Sequence, residues 1–270
     1  MTQTPRLVAT DLDGTLVGRD RAVSSRTVEV LRRLDAAGVV IVLVTGRPIR
    51  WLHPVYEQLT VRPIAICANG AATYDPRTDT IVHSTPIEPA ALAEACERLR
   101  AAVPGVVFAV ERDGGRQMRH EEAFPVGPWE VNHGSVGPVS YAELLTRPAA
   151  KLLVRAGVQQ SDEFTAVVGK CLDGLAEATN SSSSGMVEVS AVGVTKATAL
   201  ARVAREHAVT APEVVAFGDM PNDLAMLTWA GRGVAMANGH PAVLAAAHDV
   251  TPATNEDDGV AAYLETLYRH

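Results

Sequence analysis

Asp11-Leu12-Asp13-Gly14-Thr15 sets two carboxylates, a flexible glycine and a hydroxyl directly behind the apolar run Leu7-Val8-Ala9. Two like charges crowded at a strand end repel one another and cost stability, so a bound cation or catalytic use is the expected compensation. Comparable clusters follow other apolar runs: Thr45-Gly46-Arg47 after Val39–Val44, Asn69 after Ile64–Cys67, and Gly218-Asp219 with Asn222-Asp223 after Val214–Phe217. Lys196 stands in the first turn of a predicted helix. Together they offer carboxylates for a hard cation, a hydroxyl and an ammonium for phosphate oxygens, and a potential nucleophile. Taken singly, each has a plainer reading. A lysine in a first helical turn is ordinarily a solvated surface residue, Gly-Asp and Thr-Gly-Arg are ordinarily turns, and Asn69-Gly70 fits a turn needing positive φ. Four clusters in this order and context point to a shared site instead.

The elements that must position them alternate as strand and helix. A strand over 7–10 leads to a helix opened by Ser24 or Ser25, with Val28, Leu31 and Leu34 at helical spacing as far as Gly38. The continuous β-branched run Val39–Val44 fits a strand buried on both faces, and Pro48 suits the first position of the next helix. Ile64–Cys67 reads as a third strand, and residues 72–74 and 80–83 as a hairpin around a turn-rich DPRTD. Beyond Pro86 and Pro89 the pattern changes to a helix (90–101), two strands around Asp113-Gly114-Gly115, a Pro/Gly-punctuated loop near 125–140, a strand (151–155), a helix (161–175) and a strand (176–179). That is an α+β unit. Ser181–Ser184 with Gly185 forms a connector, an ordinary turn or a hinge. The βα rhythm then returns, with strands at 186–190, 214–217 and 233–236 and helices at 195–207, 222–229, 241–247 and 259–268. The expected fold is α/β: a parallel-sheet domain made of residues 1–84 and 186–270, interrupted by an α+β domain at 85–185. In such sheets the ligand crevice lies beyond the carboxyl ends of the strands, where helix N-termini also favour phosphate.

With 270 residues, 47% apolar and 4% aromatic, the core must be built mostly of Ala, Val and Leu. A net charge of −7 and a pI near 5.6 argue against a nonspecific nucleic-acid binder, so an anionic ligand needs local positive charge. Cys67, Cys96 and Cys171 are odd in number, with no CxxC pair, and read as reduced, mostly buried thiols. Neither a signal-peptide pattern nor an apolar run of membrane-spanning length is present, which gives the expectation of a soluble, cytoplasmic protein. No heptad or apolar stripe fixes an oligomeric state.

On these residues the chain resembles the haloacid dehalogenase (HAD) superfamily. Asp11–Thr15, Thr45–Arg47, Lys196 and Gly218-Asp219-Met220-Pro221-Asn222-Asp223 are similar to its four motifs. The position and layout of the insert resemble Cof-like phosphatases with the class IIB cap. The resemblance implies a Rossmann-like core with a specificity-giving cap, and a phosphomonoesterase working through an aspartyl-phosphate. It further implies Asp11 as nucleophile, Asp13 as acid and base, and Thr45 and Lys196 as charge-neutralising groups. Mg²⁺ is implied on Asp11, Asp13 (through its backbone carbonyl), Asp219 and Asp223, with Gly14, Gly46, Arg47, Asn69 and Asn222 around phosphate or substrate. Asp13 speaks against a carbon–halogen dehalogenase, since a halide leaving group needs no acid. The substrate implied is a small phosphate ester, a sugar phosphate first; a sugar phosphomutase or other phosphotransferase and a noncatalytic phosphate-compound binder are the alternatives. Arg112, Arg116, Arg119, His120, Trp129 and Lys151 are candidate cap contacts, although for each the surface or local-packing reading is the more ordinary one. His120-Glu121-Glu122 has no metal-site spacing. Met236-Ala237-Asn238-Gly239 departs from the Met-Gly-Asn-Ala of relatives, which leaves the role of Asn238 open.

Overall fold

The computed structural model describes residues 4–127, 135–157, 161–180 and 185–268. Two sheets organise the chain. The larger has eight strands: β1 (Leu7–Thr10), β2 (Val40–Val44), β3 (Ile64–Cys67), β4 (Ala72–Asp75), β5 (Thr80–Ser84), β12 (Val214–Gly218), β13 (Arg232–Ala235) and β14 (Asp249–Val250). Their order is β14-β13-β12-β1-β2-β3-β4-β5, parallel from β14 to β3 and antiparallel in the β3-β4-β5 edge. The central strands are continuous apolar runs because both faces are covered. On one face, α1 (Ser25–Ala36) and α9 (Gly259–Leu267) bury Leu31, Leu34, Val260 and Leu264 against Val8, Leu43 and Phe217. On the other, α6 (Lys196–Glu206), α7 (Leu224–Trp229) and α8 (Pro241–Ala246) bury Leu200, Val203, Leu227 and Val243 against Leu7, Val42 and Ala216. Caps set the helix starts: Ser24 Oγ accepts from the Thr27 amide, and Thr195 shares a reciprocal capping box with Thr198.

The second sheet runs β10-β11-β9-β6-β7-β8. Its strands are β6 (Val107–Arg112), β7 (Gln117–His120), β8 (Val136–Pro138), β9 (Lys151–Arg155), β10 (Ala176–Thr179) and β11 (Met186–Ala191). Helices α3 (Pro89–Ala102) and α5 (Ser161–Cys171) pack Leu92, Cys96, Phe164 and Val168 on the face that carries Phe108, Val110, Leu152, Val154, Val187 and Val189. Side chains alternate along a strand, so Glu111, Lys151, Glu188 and Ser190 are on the opposite face, where all four are buried.

The strand expected at 186–190 exists, but its place in the fold is corrected. β11 pairs antiparallel with β9 and β10, so the chain returns to the large sheet after Ala191, not at residue 186. Its alternation of Val187 and Val189 with Glu188 and Ser190 belongs to a sheet with two unlike faces, not to a parallel strand covered on both sides. Pro48 does not open a long helix. A 3₁₀ turn (Ile49–Trp51) intervenes, and α2 (His53–Gln58) starts with Pro54 in its first turn. β8, β14 and the one-turn α4 (Tyr141–Leu144) lie where no element was expected. The 181–184 connector and Trp129 lie outside the described residues. Among the described residues no helix is long and apolar enough to cross a membrane. The three cysteines are free, Cys67 and Cys96 buried and Cys171 partly so.

Candidate active site

Every core cluster falls at the carboxyl edge of the large sheet. Asp11 follows β1, and its amide donates to Phe217 O of β12 at 3.0 Å, which fixes the nucleophile candidate beside the Gly218-Asp219 turn. Lys196, the first residue of α6, is 1% exposed. Its Nζ donates to Asp11 Oδ1 and to Asp223 Oδ1, each at 2.6 Å. Asp223 Oδ2 accepts the amides of Asp219 and Met220, both at 3.0 Å, so both of its oxygens are engaged in holding this loop. Thr15 Oγ1 donates to Asp219 Oδ1 at 3.1 Å. Gly14 has φ +81°, and a Cβ there would lie 2.3 Å from Asp219 Oδ2, so both conformation and space require glycine.

A second group surrounds this centre. The Arg47 guanidinium grips Asp13 through two bonds of 2.7 and 2.5 Å, and the Arg47 amide donates to Thr45 Oγ1 at 3.0 Å. The Asp13 side chain is 58% exposed and stands apart from the buried acids. Ala68, Asn69 and Gly70 all have positive φ, at 51°, 58° and 111°. Such a run costs energy for the two non-glycine residues. It turns Asn69 so that Nδ2 donates to Glu188 Oε2 at 2.7 Å and to Thr179 Oγ1 at 3.2 Å, while Oδ1 accepts Asn222 Nδ2 at 3.1 Å. Asn69-Gly70 is thus both a turn needing positive φ and a contributor to the site. Asn238 Nδ2 donates to Gly14 O at 2.8 Å and its Oδ1 accepts the Asn255 amide at 3.0 Å, so it braces the loop from beneath.

Of the cap candidates, Lys151 reaches this region: its Nζ donates to Gly46 O at 2.7 Å and lies 2.9 Å from Glu188 Oε1. Arg116 pairs with Asp79 at 2.7 Å, Arg112 donates to the carbonyls of Glu143 and Leu144, Arg119 to those of Met118 and Ser135, and His120 Nδ1 lies 2.8 Å from Glu121 O. Arg116 thus ties the small-sheet unit to the β4–β5 turn of the large sheet, while Arg112, Arg119 and His120 bond within the small-sheet unit. Sequence reading missed Glu188 and the part played by Thr15. The Val-Glu-Val-Ser alternation is the signal that could have found Glu188, as a charge on the face away from the valines.

The carboxylates of Asp11, Asp219 and Asp223, all buried, each offer an oxygen within 4.8 Å of the others. Three acids against one ammonium leave excess negative charge in a dry site, and all-oxygen donors suit a hard divalent ion such as Mg²⁺. The residues therefore fit the implied metal. Burial, then the Asp223 charge, raises Asp219 to about 7, against the downward pull of the Thr15 hydrogen bond and Lys196. Asp11 is raised well above the usual carboxylate range by burial, opposed by Lys196 and reinforced by Asp223, Asp219 and Asp13. An acid whose folded pKa is raised holds its proton more tightly in the native state, so its stabilisation is present at low pH and lost as pH climbs through the folded value. The metal-free protein is expected to lose stability between about pH 4 and 7. Mg²⁺ at roughly 100 times its Kd is expected to add about 2.7 kcal/mol, or about 5–10 °C in Tm, at pH 8 and distinctly less at pH 5.5. Thermal melts with Mg²⁺ or EDTA at both pH values check this, and an equal metal shift at the two would count against it.

A sequence profile of haloacid dehalogenase-like hydrolases matches residues 8–264. The 5-amino-6-(5-phospho-D-ribitylamino)uracil phosphatase YitU of Bacillus subtilis (strain 168) is 30% identical over 271 residues, covering 98% of each chain. The pyridoxal phosphate phosphatase YbhA of Escherichia coli (strain K12) is 29% identical over 277 residues, covering 99% of each. Among solved structures, the HAD subclass IIB sugar phosphatase BT4131 superposes with a TM-score of 0.77 over 96% of this chain and 98% of that one; at 22% identity this likeness bears on the fold. The chain belongs to the haloacid dehalogenase-like hydrolase family, among its Cof-like phosphatases.

Proposed function

We propose that this protein is a Mg²⁺-dependent phosphomonoesterase that hydrolyses a small phosphorylated metabolite, a sugar phosphate in first place, through a phosphoryl group carried on Asp11. The observation that carries this reading is the buried Lys196 ammonium bridging Asp11 and Asp223 beside Asp219. An ammonium in that position is the charge that opposes the upward push of burial and neighbouring acids on the Asp11 carboxyl, and it faces the oxygens of an incoming phosphate. Named phosphatases at 30% and 29% identity over nearly the whole chain support it.

In this reading Lys196 holds Oδ1 of Asp11 and leaves Oδ2 to attack phosphorus. The new P–O bond forms as the ester P–O bond breaks, and the departing oxygen takes the Asp13 proton. Asp13 must turn from Arg47 to reach it, and its exposure leaves room to do so. Asp13 then takes a proton from water, whose oxygen attacks phosphorus and releases the Asp11 carboxylate. Thr45 Oγ1 already accepts the Arg47 amide, so its own proton is available to a phosphoryl oxygen. Asp11 and Asp219 would hold Mg²⁺, and when bound it supplies positive charge against the phosphoryl oxygens. Phosphoryl transfer depends mainly on such positioning and charge stabilisation.

The test is phosphate release from a panel of phosphate esters, ranked by kcat/KM. Activity is expected to vanish in EDTA and to return with Mg²⁺. Full activity after exhaustive chelation would remove the metal from the proposal, and an isomeric ester in place of inorganic phosphate would make the enzyme a mutase.

A further inference from the structure

Two charged side chains of the small sheet are almost fully buried against the large sheet's phosphate-side turns: Lys151 at 2% and Glu188 at 5% exposure. Burying an ion pair costs several kcal/mol of desolvation, and a well-packed apolar pair is often as stable or more so. Stability alone therefore gives no reason for the pair, and its contacts supply another. Lys151 Nζ donates to Gly46 O at 2.7 Å. The same peptide group carries the Arg47 N–H, which donates to Thr45 Oγ1 at 3.0 Å. The result is a chain from ammonium to carbonyl, through the peptide to its N–H, and on to the hydroxyl. A cation on the carbonyl polarises the peptide and strengthens the bond made by its N–H. With one lone pair taken by the Arg47 amide, the Thr45 hydroxyl, itself 1% exposed, is oriented to donate away from the backbone.

Glu188 fixes the other end. Its Oε1 lies 2.9 Å from Lys151 Nζ, and its Oε2 accepts Asn69 Nδ2 at 2.7 Å. Asn69 Oδ1 then accepts Asn222 Nδ2, next to Asp223 in sequence. One buried pair therefore touches the turn carrying Thr45 and Arg47 directly and reaches the loop carrying Asp219 and Asp223 through Asn69.

We propose that Lys151 and Glu188 are positioning residues for phosphoryl transfer, Lys151 acting through the Gly46–Arg47 peptide to aim the Thr45 hydroxyl, and Glu188 holding Lys151 and Asn69 in register. The inference rests on the phosphatase reading above and extends it to the small sheet. It makes the catalytic competence of the Thr45 turn depend on contact with the small sheet, whichever ester is bound.

The experiment compares wild type, Lys151→Met, Lys151→Arg, Thr45→Ala, the Lys151→Met/Thr45→Ala double variant and Glu188→Gln with p-nitrophenyl phosphate and the best ester found. Lys151→Met is expected to lower kcat about 10–100-fold with KM changed less than about 3-fold, the pattern of an interaction realised in the transition state. In the Thr45→Ala background the same substitution should cost less than about 2-fold, since the two act through one hydroxyl. Lys151→Arg, still able to reach the carbonyl, should recover most of the rate. Hydrogen exchange at the Arg47 amide, followed by NMR in metal-free protein, should quicken in Lys151→Met. Independent, multiplying effects of Lys151→Met and Thr45→Ala would overturn the proposal, as would unchanged kcat or unchanged Arg47 exchange. If Lys151→Met does not fold, Glu188→Gln takes its place, with the same expected direction in kcat and in Arg47 exchange. Wild-type turnover in the same assay decides the phosphatase reading separately, and the amide measurement needs no turnover.

Discussion

Asp11→Asn is expected to reduce phosphate-ester hydrolysis by roughly 10⁴-fold or more, the scale of losing a covalent nucleophile, while the protein keeps its fold. The amide is isosteric with the carboxylate and can still accept from Lys196 through its oxygen, so the Lys196–Asp223 contact at 2.6 Å has no reason to break. Burial already disfavours the Asp11 charge, and Asp223, Asp219 and Asp13 add repulsion. Removing that charge relieves the metal-free site, so the EDTA-treated variant should melt at or above the wild-type Tm at pH 8. Loss of turnover with an undiminished Tm separates chemical failure from misfolding. A pure Asp11→Asn sample hydrolysing near the normal rate would falsify the assignment.

The parts of this site that sequence makes legible are those set by local order. An apolar run, then acids, a glycine and a hydroxyl, can be read as a strand opening onto a loop, and Asp11, Thr45, Asn69 and Asp219 all sit where that reading puts them. Lys196 alone would pass for a solvated helix residue; its order relative to the other clusters marked it, and the structure buries it between two acids. What sequence leaves open depends on pairing between distant segments. β11 is a recognisable strand, but which sheet it joins is decided by hydrogen bonds to β9 and β10. The same holds for Asp13, which no sequence pattern assigned to Arg47, and for Glu188, whose partners come from residues 69 and 151. β14, only two residues long, has no periodicity to detect.

Lys196→Met should be the most damaging single change to stability and chemistry together. Removing one partner of a buried charge pair costs about 3–5 kcal/mol, which for a chain of this size lowers Tm by roughly 10 °C. Lys196 contacts Asp11 and Asp223 alike, and Asp223 is 0% exposed, so water cannot replace the ammonium there without opening the loop. Burial lowers the Lys196 pKa, yet Asp11 and Asp223 outweigh it and raise the value overall, so the ammonium stays charged across the working pH range. Its loss removes the main influence holding Asp11 down, leaving burial and three neighbouring acids to raise that carboxyl further. A nucleophile protonated at neutral pH attacks more slowly. The acid limb of the residual kcat/KM profile should therefore move to higher pH, alongside a fall of about 10²–10³-fold or more in kcat for the lost charge stabilisation. Mg²⁺ should return part of the lost Tm, because a divalent ion relieves the same repulsion, but not the rate, because the donor to the Asp11 oxygen is gone. Parallel melts and pH–rate profiles check both halves. A variant with unchanged Tm and an unmoved acid limb would mean that Lys196 is not the charge on which Asp11 depends.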